Sequence, residues 1–308
     1  MDSTQWKAYG KIDPELEAVS DSASPTLEGA RRVWLRSRSA RSPGRAAAAL
    51  AAGISKPADF TGVSKKEIEI PVRDGTTIRA VVYKPEASEP GPLFLYYHGG
   101  GWVVGEPEAY EAGFSVLTKD LGATVVGVGY RKAPEYVFPT AAHDSIDAAK
   151  WVGENASQLG ADTSKGFIVS GSSAGGNLAA VVTHEAADKK WSPPITGVFL
   201  SIPSLVHPEA VTEKYKSHYN AWEDNKDSLI LDQKNMLWFY EQYKADPNMD
   251  PLRDDGENGV PTKVDMYSGM PHGAPDFMVM LSVAKKALQD LKGGVEWLLS
   301  QNSRSENL

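Results

Sequence analysis

From Lys66 apolar and polar residues alternate, Lys66-Glu67-Ile68-Glu69-Ile70-Pro71-Val72, then an Asp74-Gly75 turn, then Ile78-Arg79-Ala80-Val81-Val82-Tyr83. Two period-two runs joined by a short Asp-Gly turn predict an antiparallel hairpin at a sheet edge. Beyond Pro92 the pattern changes to short, nearly continuous apolar runs, which predict strands buried on both faces. These run from Leu93 to Tyr97, Thr124 to Val128, Gly166 to Ser170, Ile195 to Ile202 and Thr262 to Tyr267. Between them lie helix-spaced segments from Tyr110 to Leu121, Ala141 to Leu159, Gly176 to Ala187, Gln233 to Tyr243 and Ser282 to Ser300. Strands alternating with helices predict an α/β fold with a mostly parallel central sheet flanked by helices. The first sixty residues carry no strand pattern and read as helical, from Asp13 to Val19 and from Arg45 to Ala52.

Length and composition bound this picture. A chain of 308 residues with 41% hydrophobic content is long enough for one large α/β domain. No run of 18 apolar residues occurs, and the opening stretch MDSTQWKAYGKIDPELEA is polar. The expectation is a soluble, unsecreted, cytoplasmic protein without integral membrane association. Cysteine is absent, which excludes disulfides, a thiolate nucleophile and cysteine-ligated zinc. A net charge of −8 argues against nucleic acid as a partner. Arg31, Arg32, Arg36, Arg38, Arg41 and Arg45 form a local basic exception, read as a solvated helix end and loop. Asn155-Ala156-Ser157 fits a glycosylation acceptor but lies in a predicted helix, where it is read as a chance match.

Two glycine-rich segments carry the chemistry. Gly171-Ser172-Ser173-Ala174-Gly175 follows the apolar run Phe167-Ile168-Val169 and precedes a helical segment, the strand-turn-helix context of a G-x-S-x-G nucleophile elbow. A serine on so sharp a turn needs flanking glycines, because side chains there would collide with the adjoining strand and helix. Taken alone, such a turn could equally hold a phosphate at a helix N-terminus. The second segment decides against that. His98-Gly99-Gly100-Gly101-Trp102 follows the run Leu93 to Tyr97, where acyl transfer needs backbone N–H groups aimed at a developing oxyanion. The N–H groups of Gly100, Gly101 and Ala174 are therefore the expected oxyanion hole, with His98 bracing the loop. Ser173 also needs a base to take its proton. His272, in Ser268-Gly269-Met270-Pro271-His272-Gly273, comes last among the six histidines and follows a predicted strand, in the fold's chain order of serine, acid, histidine. No H-E-x-x-H or other metal-ligand spacing occurs, so neither a metal nor a cofactor is expected.

Together these segments resemble the hormone-sensitive-lipase-like branch of the α/β-hydrolase fold. Its further motifs read here as Tyr130-Arg131-Lys132-Ala133-Pro134-Glu135 with Phe138-Pro139 and Asp144, and as Asp250-Pro251-Leu252-Arg253-Asp254. The resemblance runs from about Lys66 to Leu299 and implies residues 61–308 as the catalytic domain, with 1–60 as a helical cap. It implies supporting roles for Glu135 and Asp144, no cofactor, and Asp250 as the catalytic acid that orients His272. Ser172 stands where the family often has aspartate. The Ser201-Ile202-Pro203-Ser204 and Lys263 to His272 stretches are similar to fungal esterases of secondary metabolism.

Asp250 is where residues and resemblance part. Residues 242–249 have no β-branched run to serve as the strand preceding a catalytic acid, and only Pro251 to Pro261 separates Asp250 from the next predicted strand. A short segment is missing on each side of the motif, leaving the sheet one strand short there. Asp246, Asp254 and Asp255 are the nearest substitutes. The expected activity is hydrolysis of small or medium carboxylic esters, acetyl esters among them, through an acyl-serine intermediate. The rival is an impaired hydrolase that keeps the scaffold to bind a ligand or partner.

Overall fold

The structure, a computed structural model, describes residues 13–15, 58–86, 89–217, 219–228, 231–247, 261–267, 270–274 and 281–305, with side chains as far as 301. The chain divides into two compact units. The first gathers Ala58–Leu205, Phe239–Pro251 and Leu291–Leu308; the second gathers Met1–Pro57, Val206–Trp238 and Leu252–Asp290. The helical expectations for residues 16–57 and the basic stretch within them lie outside the described residues.

The first unit is built on a six-stranded sheet of order β1-β2-β4-β3-β5-β6. β1 (Val63–Pro71) and β2 (Thr77–Pro85) form the expected antiparallel hairpin, Ile70 facing Ile78. Its turn is closed by Val72 N–H donating to Thr76 O (3.0 Å) and by Asp74 Oδ1 accepting from Thr76 N–H (3.1 Å). β2 pairs antiparallel with β4 (Thr124–Val128). β4, β3 (Leu93–Tyr97), β5 (Phe167–Ser172) and β6 (Gly197–Ser201) run parallel, with Tyr97 beside Gly171 and Ser172 beside Ser201. Both glycine-rich segments therefore leave neighbouring strands at the same sheet edge, the carboxyl end where α/β sheets place their sites.

Helices close both faces. α1 (Glu111–Leu121) follows β3, and α2 (Thr140–Glu154) and the short α3 (Ala156–Leu159) follow β4. The single predicted helix from Ala141 to Leu159 breaks at Asn155, whose side chain turns back to donate to Trp151 O (2.8 Å). α4 (Ala174–Asp188) follows β5 directly. β3, β4 and β5 are buried along their whole length, as their apolar runs require. Each fully buried Leu, Ile, Val or Phe there stabilises the fold by about 1.5–3 kcal/mol, so a few suffice to hold strained loops at the strand ends.

Outside the sheet, α5 (Glu213–Lys216), α6 (Ala221–Asp224) and a 3-10 turn at Pro208–Ala210 are short polar pieces that the sequence pattern did not announce. α7 (Gln233–Tyr243) matches its expected range, and α8 (Ser282–Ser305) outruns the expected end at Ser300. The run Thr262 to Tyr267, expected as a strand, is not one. Residues 261–267 form no ladder, and Val264 and Met266, which alternation would have buried on one face, are 73% and 37% exposed. A run of period two becomes a strand only where a neighbouring edge takes its backbone hydrogen bonds. The described sheet accordingly ends at β6.

Candidate active site

The sharp turn at Ser173 is real: its φ of 54° and ψ of −117° lie off the usual regions for a side-chain-bearing residue, between the end of β5 and the first turn of α4. Such strain costs on the order of 1–3 kcal/mol and persists only when surroundings over-determine it. Here they do. Ser173 N–H donates to Ser201 O (2.9 Å), and its own carbonyl accepts from Asn177 N–H (3.1 Å) and Ser204 N–H (3.2 Å). The end of β6 and the bend after it supply two of these bonds, and that bend is itself strained, Ile202 carrying φ 42°. The glycines are required by close approach. A Cβ on Gly171 would stand 2.1 Å from Gly175 O, and one on Gly175 would stand 2.0 Å from Tyr97 O.

The second glycine segment abuts the elbow. A Cβ on Gly99 would meet Ser173 Cβ at 3.4 Å. Gly100 and Gly101 follow with φ of 124° and 59°, and the turn is closed by Val103 and Val104 N–H donating to Gly100 O (3.1 and 3.0 Å). His98 is fully buried, stacked on Tyr130 at 4.2 Å, with Nδ1 2.9 Å from Gly99 O and its carbonyl accepting from Tyr130 O–H (2.8 Å). It braces the loop. Trp102 O accepts from Ala133 N–H (2.9 Å), tying the loop to the Tyr130 to Asp144 block. That block is held in turn by buried Asp144, which accepts from Arg131 N–H (2.9 Å), Nε (2.9 Å) and Nη2 (2.6 Å). These bonds raise the affinity of the Arg131 guanidinium for its proton, and Arg131 also donates to Asp74 (2.6 Å).

Ser173, Gly100, Gly101 and Ala174 thus belong to one unit and one sheet edge. The first turn of a 15-residue helix begins at Ala174, so its N–H groups and the helix dipole favour negative charge beside Ser173. His272 belongs to the second unit, in a turn closed by Ala274 N–H donating to Pro271 O (3.0 Å), beside a buried cluster of Ala274, Leu281 and Val283 with Tyr267 and Met270 packed on it. Burial lowers the His272 imidazole from 6.5 to about 4, so the ring is neutral, the form a general base needs. Asp250 and its substitutes Asp254 and Asp255 lie outside the described residues. Among the described residues no group of three His, Asp or Glu side chains is placed to hold a metal, and no helix is long and apolar enough to cross a membrane.

The glycine loop yields a sharp expectation. Gly101→Ala forces a Cβ to 2.3 Å from the Phe239 ring at a φ that favours glycine. We expect ester turnover to fall about a hundredfold or more, the scale of losing an oxyanion donor, with the circular dichroism spectrum intact. Gly293→Ala, in α8 with nothing near its Cβ position, is the matched control and leaves turnover unchanged.

Residues 94–264 match the family model described as the α/β hydrolase fold, over half of the chain. A Schizosaccharomyces pombe AB hydrolase superfamily protein is 30% identical over 335 aligned residues, covering 97% of each chain. A versiconal hemiacetal acetate esterase of Dothistroma septosporum is 34% identical over 275 residues, 77% of this chain and 82% of its own. Among solved structures, vibralactone cyclase superposes with a TM-score of 0.80 at 28% identity, covering 96% of both chains. The chain belongs to the α/β-hydrolase family. Several of its relatives are named as ester hydrolases.

Proposed function

We propose that this chain hydrolyses small carboxylic esters, acetyl esters among them, through an acyl-Ser173 intermediate. The reading is carried by Ser173 held at φ 54° on its elbow with the Gly99–Gly101 loop against it. His272 takes the hydroxyl proton as Ser173 Oγ attacks the ester carbonyl, and the N–H groups of Gly100, Gly101 and Ala174 receive the negative charge on the carbonyl oxygen. The alcohol leaves with the proton from His272. Water then repeats the sequence, releasing the acid. Asp250 is the acid proposed to orient His272 and stabilise its imidazolium. The acetyl preference is supported by the similarity to an acetate esterase.

The test is a fluorophosphonate probe with a p-nitrophenyl acetate assay on wild type and Ser173→Ala. Labelling at Ser173 and turnover that EDTA leaves intact are expected. A wild type that neither labels nor turns over would point to the scaffold-only reading. The likeness to a cyclase favours one variation, in which a nucleophile in the substrate's own acyl chain discharges the acyl-enzyme in place of water. Oxygen-18 from labelled water in the released acid separates the two.

A further inference from the structure

The C-terminal half of α7 presents an aromatic face to the glycine loop that the proposed chemistry does not use. A Cβ on Gly101 would stand 2.3 Å from Cγ and Cδ1 of Phe239, so the ring lies flat against the Gly101 backbone, and Phe239 is 3% exposed. Four residues on, Tyr243 stacks on Trp102 at 4.7 Å with planes 3° apart, and Tyr240 lies 5.9 Å from the same indole. Tyr243 O accepts from Phe138 N–H (2.8 Å), and the Phe138 ring meets the Tyr243 ring edge-on at 5.7 Å. The i, i+4 spacing of Phe239 and Tyr243 puts both on one helical face. One side chain presses on the residue expected to donate to the oxyanion, and the other grips its neighbour.

This arrangement answers a physical difficulty. Gly100, Gly101 and Gly105 all carry positive φ, and glycine has more backbone freedom than any other residue. Oxyanion donors must nonetheless stay within about 0.5 Å of their working positions. Val103 and Val104 N–H hold the Gly100 carbonyl and Ala133 N–H holds that of Trp102, while the Phe239 ring covers the Gly101 backbone between them. We propose that Phe239 is a positioning residue for the oxyanion hole, its ring a stop that keeps the Gly100 and Gly101 N–H groups aimed at the reacting carbonyl. It touches no reacting atom and acts through the glycine backbone. The inference rests on the reading of these glycines as oxyanion donors.

A ring that merely fills space would, when trimmed, lower stability without changing the chemistry of the molecules that remain folded. A positioning ring changes transition-state binding. The experiment uses the full chain as wild type, Phe239→Ala and Phe239→Leu, each titrated for active sites with a fluorophosphonate. For each, kcat and KM on p-nitrophenyl acetate are measured with the inhibition constant of a methyl trifluoromethyl ketone, whose adduct with Ser173 places an oxyanion in the hole. In Phe239→Ala we expect kcat per titrated site to fall about ten- to a hundredfold with KM within about twofold, and the inhibition constant to rise in parallel. Phe239→Leu restores most of both, its branched chain still covering the glycine. Should the alanine chain fail to fold, the leucine variant carries the test through a smaller parallel shift of about threefold. Values per site within error of wild type, alongside a lowered Tm, overturn the inference and leave Phe239 as packing. A wild type that neither labels at Ser173 nor binds the ketone overturns the oxyanion reading beneath it.

Discussion

Ser173→Ala is expected to reduce p-nitrophenyl acetate turnover by about five to six orders of magnitude, and His272→Ala by nearly as much. The double variant loses little more than either single one, because a nucleophile without its base, or a base without its nucleophile, retains only what binding and the oxyanion hole supply. Steady-state kinetics per titrated protein, with far-ultraviolet circular dichroism to confirm the fold, measure this. Retention of a tenth of the activity in either single variant would refute the assignment. Removing the Ser173 hydroxyl leaves the elbow standing, since the bonds to Ser201, Ser204 and Asn177 use its main chain.

The second large effect is expected from Asp250→Asn, with turnover lower by about 10⁴, since an amide neither stabilises the imidazolium nor enforces the useful tautomer. A second measurement reads the same contact. Burial acting alone holds the His272 imidazole near 4, whereas an ionised carboxylate at the ring favours the imidazolium and raises it. In wild type the acid limb of kcat/KM therefore stands well above pH 4, and in Asp250→Asn the residual activity keeps its limb nearer pH 4. The sign for stability follows from the same burial. In Asp250→Asn, where burial alone sets the ring at about 4 against an ordinary 6.5, the unfolded chain takes up the proton first, so that variant loses stability as pH falls from about 6.5 towards 4, and wild type loses less. A silent Asp250→Asn with the limb still well above pH 4 would move the acid to Asp246, Asp254 or Asp255, whereas a silent variant with the wild-type limb already near pH 4 would leave the ring without a carboxylate and point to the scaffold-only reading. The alignment with the S. pombe relative spans 335 positions against 308 residues here, so that relative carries residues this chain lacks.

The hairpin, the buried parallel strands and the elbow were legible because each rests on local chemistry. Period-two alternation needs an exposed face, continuous apolar runs need two covered faces, and Gly171 and Gly175 mark backbone that must approach another chain segment. Thr262 to Tyr267 was misread because its alternation is short, and nothing local says whether a neighbouring edge will take its hydrogen bonds. The role argued for Phe239 was hidden for a related reason. An aromatic at helical spacing looks the same whether it faces solvent, core or a glycine loop, and 138 residues separate it from Gly101. The left-handed turns at Trp102 and Ile202 were equally silent, since neither residue type advertises positive φ. The one available signal was position, each following a strand that ends at the site.

The clamp on Ser173 is made of main chain: its N–H and C=O are engaged by Ser201, Ser204 and Asn177 through backbone atoms alone. The socket therefore holds the backbone of position 173 without using its hydroxyl. A thiol or carboxylate installed at position 173 would be delivered to the same place at the same angle, and the walls around it could be recut without moving it. Such a scaffold separates where a side chain is presented from which side chain it is.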